Sequence, residues 1–196
     1  MFKEVIVIVF AYLIGSIPTG LLLAKAFGGV DIRETGSGNI GATNVYRTLG
    51  RKVGLLTLIG DCLKGVIPVI AAKFVFNFPD FWIAAVGLAA FLGHVYTVFL
   101  GFKGGKGVAT ALGVFLAASP LSVIAALVVF SLVLYKWRFV SLASVTAAAC
   151  MPLLVTLISG KPETVAMTIV IAVIVIYRHR ENIKRLRAGT ESKFRA

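Results

Sequence analysis

The sequence predicts an all-α membrane protein, a seven-transmembrane-helix bundle with the N-terminus outside and the C-terminus cytoplasmic. Three observations carry that prediction. Hydrophobic residues make up 59% of the chain and charged residues 14%, with a mean hydropathy of +0.96, well outside the range of an average soluble domain. The apolar residues lie in long runs, and a spanning helix needs ~20 of them, so a chain of 196 residues crosses about seven times when its loops are short. That leaves no room for a separate soluble domain, and residues 1–196 are predicted to form a single integral-membrane domain. The third observation is the uneven placement of the basic residues between those runs.

Val5 to Phe27 is the first span. A signal peptide is the competing reading, but the run is long, Lys3 is offset by Glu4, and Ala24-Lys25-Ala26 leads directly into a polar loop. Pro18 removes a backbone donor in mid-span and predicts a kink. Gly15, Ser16, Thr19 and Gly20 around it suit close helix packing.

Val53 to Phe76 is the second span, and it contains Asp61 and Lys64, neighbours on one helical face at i,i+3. Each costs ~2.5–3.5 kcal/mol at the bilayer centre on the insertion scale. They are therefore expected to pair away from lipid, either as a structural ion pair or as one that also positions a polar loop. Making residues 53–64 interfacial would leave too short a run, Gly65 to Phe78, to cross comfortably.

Asn77-Phe78-Pro79-Asp80 reads as a turn, and Phe81 to Leu100 as the third span with His94 and Tyr96 near its end. Val108 to Ser119 and Leu121 to Tyr135, separated by Pro120, fit two short tilted crossings or a re-entrant hairpin. Phe139 to Ile158 and Thr164 to Ile176 complete the set, and a basic tail from Arg178 to Arg195 follows. Cys62 and Cys150 fall inside apolar runs and read as small buried hydrophobes rather than a disulfide.

With this count, one face receives Lys25, Arg33, Arg47, Arg51, Lys52, Lys103, Lys106, Lys136, Arg138 and the C-terminal cluster. The other receives Lys3 and Lys161, with Lys73 near its edge. The crowded face is cytoplasmic by the positive-inside rule. Much of the +12 formal charge is then expected to attract anionic headgroups, above all in the tail beyond Lys184.

Three polar islands lie on that face. Thr35 to Asn44 carries three glycines, the hydrogen-bonding side chains of Ser37, Asn39, Thr43 and Asn44, and flanking Arg33 and Arg47. A loop of that make-up suits an anion, most plausibly a phosphate, and in isolation it also suits a flexible connector. Gly101-Phe102-Lys103-Gly104-Gly105-Lys106-Gly107 opens a helix, where backbone N–H groups, the helix dipole and a lysine make a second anion site. Its spacing is not that of a nucleotide-binding loop, and no acidic residue follows to hold Mg²⁺. The third island, Tyr177 to Asn182, places Arg178, His179, Arg180 and Asn182 on a helix leaving the membrane.

Together the motifs Gly36-Ser37-Gly38-Asn39-Ile40-Gly41-Ala42-Thr43-Asn44, Gly93-His94 to Gly107, and Tyr177-Arg178-His179-Arg180-Glu181-Asn182-Ile183 resemble those of the bacterial acyl-phosphate-dependent glycerol-3-phosphate acyltransferases, the PlsY family. Asp61, Lys64 and the Ser141-Leu142-Ala143-Ser144 stretch add weaker likeness. The resemblance implies transfer of a fatty acyl group from acyl phosphate to glycerol 3-phosphate, giving lysophosphatidic acid and phosphate. It also implies a site at the cytoplasmic face of the bacterial inner membrane and no metal or nucleotide cofactor. Expected partners are the two substrates, membrane lipid and the enzyme that makes the acyl phosphate, with no nucleic acid.

On that resemblance Ser37, Asn39 and His179 are the catalytic candidates. Gly36, Gly38, Thr43, Asn44, Arg47, Gly104, Lys106, Ser144 and Asn182 are the substrate-binding ones. Ser37, Asn39 and nearby amides would face the donor phosphate and developing oxyanion, while Arg47, Lys106 and Asn182 would hold the acceptor phosphate. Neither His94 nor His179 has an aspartate five residues on, the pairing a histidine-based acyltransferase would use. A transporter for a phosphate-bearing solute is the rival reading, but the sequence has no internal repeat and its polar islands gather on one side. A phosphatidyltransferase would need clustered aspartates, and the chain has none.

Overall fold

The computed structural model describes Met1–Phe194; Arg195, the last of the predicted basic tail, and Ala196 lie outside the described residues. Ten α-helices form among the described residues. The chain packs as two compact units, Met1–Ala118 and Ser119–Ala196.

In the first unit, α1 (Phe2–Ser16) and α2 (Thr19–Gly28) make up the first candidate span, broken at Ile17-Pro18 where the sequence predicts a kink. Pro18 supplies no N–H, and at the break side chains from elsewhere cap the carbonyls of Ser16 and Ile17, the latter also accepting the Thr19 N–H at 2.9 Å. Thr97 donates to Ser16 O at 2.5 Å, and Lys64 Nζ donates to Ile17 O at 2.9 Å. The break is thus a fixed joint. After a polar loop come α3 (Ala42–Leu49) and α4 (Arg51–Ile70), the latter running into a π turn at Ala71–Val75. Because α4 is continuous from Arg51, residues 53–64 belong to the span rather than to an interfacial piece.

α5 (Asp80–Val95) packs along α1, and α6 (Val108–Ala118) along α4. Small residues let these backbones touch. A Cβ at Gly15 would strike the Ala90 carbonyl, one at Gly93 the Tyr12 carbonyl, and one at Gly113 the Cys62 carbonyl. Such seams are expected in lipid, where association rests on close van der Waals packing rather than on expulsion of water.

The second unit comprises α7 (Pro120–Trp137), α8 (Val140–Ile158), α9 (Pro162–Arg178) and α10 (Arg180–Arg187), with α8 packed against both α7 and α9. Pro120 and Pro162 sit at the first positions of their helices, where the missing N–H costs nothing. Leu121, Ile124, Val128, Leu132 and Tyr135 of α7 are all exposed, as a lipid-facing surface requires. Cys62 and Cys150 are half-buried free thiols.

The molecule is therefore an all-α integral membrane protein with five or six candidate spans among the described residues. Five helical segments are long and apolar enough to span: Phe2–Gly28, Arg51–Val75, Asp80–Leu100, Pro120–Trp137 and Val140–Ile158. A sixth arises if α9 and α10, bent by 54°, are taken together. α6 falls short because its 11 residues reach only about 16 Å against a hydrocarbon core of about 30 Å.

Candidate active site

The first polar loop is organised from within by Asn44, on the first turn of α3 and only 3% exposed. Its Oδ1 accepts the Ser37 N–H at 2.9 Å. Its Nδ2 donates to the carbonyls of Ile32 at 3.1 Å, Thr35 at 3.0 Å and Asn39 at 2.9 Å, two hydrogens shared among three acceptors. Asn39 in turn accepts the Gly41 N–H on its Oδ1 at 2.9 Å, an Asx turn that leads into α3. Gly36 and Gly38 adopt positive φ, +57° and +67°, which an L side chain would strain. Ser37 is held at the exposed tip between them.

Two sequence expectations change here. Asn44, a predicted substrate ligand, spends both ends of its amide building the loop. Arg33, a predicted flanking charge, is clamped by Asp31 through Nε at 2.9 Å and Nη2 at 2.6 Å. The guanidinium holds the Asp31 carboxyl well below the usual carboxylate range. Arg47, exposed in the last turn of α3, remains as the loop's candidate cation, and Thr43 stands half-buried one residue before Asn44.

The second loop returns against the end of α5. The Gly104 N–H donates to Val95 O and the Gly105 N–H to His94 O, each at 3.1 Å. Those two donors are consumed inside the chain, so the predicted backbone cradle at Gly104 is narrower than expected. Its glycines serve close approach instead: a Cβ at Gly105 would strike the His94 imidazole, and one at Gly107, at φ +81°, the Phe91 ring. Lys106 is half-buried between these two glycines, at the entry to α6.

The first unit brings the two loops together. Leu21, Ala24, Ile32, Ile40, Val45 and Val53 form a buried cluster beneath the first loop, and Leu100, at the head of the second, packs against it. The predicted Asp61–Lys64 pair also forms, at 2.9 Å with both side chains at most 5% exposed. His94 has no aspartate five residues on, but helix packing brings it near one from α4. His94 Nδ1 lies 3.7 Å from Asp61 Oδ1.

In the second unit, His179 occupies the bend between α9 and α10 and is 3% exposed. Its Nδ1 lies 2.7 Å from Val175 O. A carbonyl can only accept, so Nδ1 carries a proton. Ser144 is buried in α8, one turn beyond Ser141.

The residue the sequence reading missed is Glu191. In sequence it lies in a tail whose charge reads as nonspecific, yet its side chain is 5% exposed. It accepts from Ser141 Oγ at 2.6 Å and Asn182 Nδ2 at 2.7 Å on Oε1, and from Arg185 Nε at 2.7 Å on Oε2. The signal was there: Gly189, at φ +70°, turns the chain back, and Glu191 is the lone acid among the basic residues that follow Glu181.

Burial raises the Glu191 carboxyl, but the hydrogen bonds from Ser141, Asn182 and Arg185 outweigh it and hold the group below its ordinary value of 4.5. A depressed folded value means that the stabilisation is full above the unfolded pKa and is lost as pH falls through the folded one. Thermal midpoints in detergent should therefore fall on acidification below about pH 4.5. Glu191→Gln should flatten that part of the profile, and an unchanged acid limb would refute the assignment.

Comparison with known proteins now gives these features a class. The family model described as glycerol-3-phosphate acyltransferase matches residues 5–189. The chain is 67% identical over 195 residues to the glycerol-3-phosphate acyltransferase of Geotalea daltonii, covering 100% of both chains. It is similar to the crystal structure of PlsY, an integral membrane glycerol 3-phosphate acyltransferase, in its glycerol 3-phosphate form. That match has a TM-score of 0.94 and 47% identity, over 98% of this chain and 96% of that one. The lysophosphatidic acid form matches with a TM-score of 0.91 and 46% identity, over 98% and 96%.

These likenesses define an integral membrane acyltransferase of phospholipid synthesis. The chain belongs to the PlsY family of glycerol-3-phosphate acyltransferases and is an enzyme of that activity, which displaces the transporter reading.

Proposed function

We propose that the enzyme transfers a fatty acyl group from an acyl phosphate to glycerol 3-phosphate at the cytoplasmic face of a bacterial inner membrane. The acceptor hydroxyl attacks the acyl carbonyl, the bond from that carbon to the phosphate oxygen breaks, and lysophosphatidic acid and inorganic phosphate leave. The hydroxyl proton goes to an oxygen of the departing phosphate, so no strong protein base is needed. The protein's share is positioning and electrostatic stabilisation. Relatives of this chain carry glycerol 3-phosphate and lysophosphatidic acid in their solved structures, which supports the acceptor and the product.

One observation carries the reading: Leu100 packs into the cluster beneath the first loop, so the Arg47 and Lys106 loops share one unit. Ser37 and Asn39 face the donor phosphate and oxyanion. Arg47, Lys106 and Asn182 hold the acceptor phosphate, with Thr43 and Ser144 beside them. His179, its Nδ1 tied to Val175, orients the acceptor or phosphate by hydrogen bond. This requires both units to work as one catalytic domain with the three islands meeting, and α6 and the α9–α10 pair completing seven crossings.

Purified protein should convert radiolabelled glycerol 3-phosphate to lysophosphatidic acid with palmitoyl phosphate, and not with palmitoyl-CoA or an acyl carrier protein thioester. Efficient use of either thioester would sink the substrate-assisted mechanism. Reporters inserted near Gly104 and Trp137 should read cytoplasmic and those at Pro79 and Gly160 external. A periplasmic Gly104 would separate the islands and end the one-site reading.

A further inference from the structure

The buried Asp61–Lys64–His94 group lies outside the residues assigned to substrate, yet it joins the α1–α2 break to the end of α5, the elements against which the two loops of the first unit lie. Lys64 Nζ bridges Asp61 Oδ1 and the Ile17 carbonyl at the α1–α2 break, 2.9 Å from each. That joint aims α2, and α2 abuts the first loop: a Cβ at Gly20 would strike the Ile40 carbonyl. On the other side, Asp61 Oδ1 stands 3.7 Å from His94 Nδ1. His94 and Val95 give their carbonyls to the Gly105 and Gly104 N–H groups, and the His94 ring lies against Gly105.

We infer that Asp61, Lys64 and His94 are positioning residues that fix the spacing between the Arg47 loop and the Lys106 loop. This rests on the proposed assignment of those loops to substrate phosphates.

A general-base role for His94 is disfavoured by its two ring nitrogens. The side chain is only 3% exposed, with Nδ1 facing Asp61 and Nε2 turned toward the Gly105 backbone. A purely structural pair would not need a histidine on one side and a helix joint on the other. Charged groups at this depth are costly enough that a local partner alone is a weak reason to keep them. Displacement of a binding group by about 1 Å can cost on the order of a hundredfold in rate, which sets the scale of the effect.

The test uses full-length protein in detergent. Asp61→Asn, Lys64→Met and His94→Gln are compared with Arg47→Ala and Lys106→Ala for thermal midpoint, kcat, KM for glycerol 3-phosphate and pH profile. Spin labels at Thr48 and Lys103, both exposed, report the distance between the loops in a background lacking Cys62 and Cys150.

The inference expects His94→Gln and Asp61→Asn to raise KM for glycerol 3-phosphate and lower kcat/KM by about ten- to a hundredfold. The pH profile keeps its shape, the label distance broadens, and Asp61→Glu and Lys64→Arg recover part of the loss. Wild-type kinetics with an unchanged label distance would overturn it. So would a lower thermal midpoint alone, or loss of the alkaline or acid limb in His94→Gln, which would make His94 a proton carrier. Should Asp61→Asn fail to insert, His94→Gln and the label distance still decide. If instead Arg47→Ala and Lys106→Ala keep full activity, the site assignment falls, an outcome separable from failure of the positioning role.

Discussion

Replacing Lys106 or Arg47 by alanine is expected to lower kcat/KM for glycerol 3-phosphate by at least ten- to a hundredfold while the protein still inserts and elutes as the wild type does. Each side chain sits where a substrate phosphate is proposed to bind. Loss of a charge-assisted contact costs roughly 1.5–3 kcal/mol, and that range corresponds to the stated change in rate constant. Asn182→Ala should fall in the same range, because its amide is aimed by Glu191 at 2.7 Å. Lys193→Ala provides the control, as an exposed residue of the same sign in the tail. Steady-state kinetics on the four variants check the claim. Equal losses at all four would mean a general attraction of anions to a basic face rather than a defined site.

Asn44→Asp is expected to be still more damaging, although it changes one atom. The substitution keeps the acceptor for the Ser37 N–H and removes the donor serving Ile32, Thr35 and Asn39. It also sets a buried carboxylate against three carbonyl oxygens. An unsatisfied buried polar group costs about 1–3 kcal/mol, and more when charged, so the loop should lose its fold. Activity should drop by more than about a hundredfold, with a lower thermal midpoint in detergent. Asn44→Ala should follow in the same direction by less, since it brings no charge. Normal kinetics in Asn44→Asp would show that the amide does not organise the loop.

Much of this architecture was legible in the chain because membranes write in a simple code. Long apolar runs, a proline at Pro18 and the i,i+3 spacing of Asp61 and Lys64 each have one local physical consequence, and each appears in the structure. The length of α6 was harder, since an apolar run of that size is compatible with a short crossing or a hairpin. Side-chain partnerships across the chain were harder again. Nothing about Asn44 distinguishes a residue that binds a ligand from one that binds the loop, for the amide can do both. His94 and Asp61 are 33 positions apart in sequence, and only helix packing brings them to 3.7 Å. Glu191 was hidden for the opposite reason: it follows so many basic residues that the tail read as charge without structure.

The glycine seams between α1 and α5 and between α4 and α6 also set where this enzyme can drift in sequence. In a soluble protein the large core residues are the guarded ones, because trimming them leaves holes that water cannot fill. Here the outward-facing leucines, valines and phenylalanines trade one hydrocarbon neighbour for another, so many of them are exchangeable at little cost. The guarded positions are the smallest: Gly15, Gly93 and Gly113 have no side chain to lose, and a single methyl group at any of them would push two helices apart. Substitution tolerance in this family should therefore run inversely to residue size, with the least variable sites being those that carry the fewest atoms.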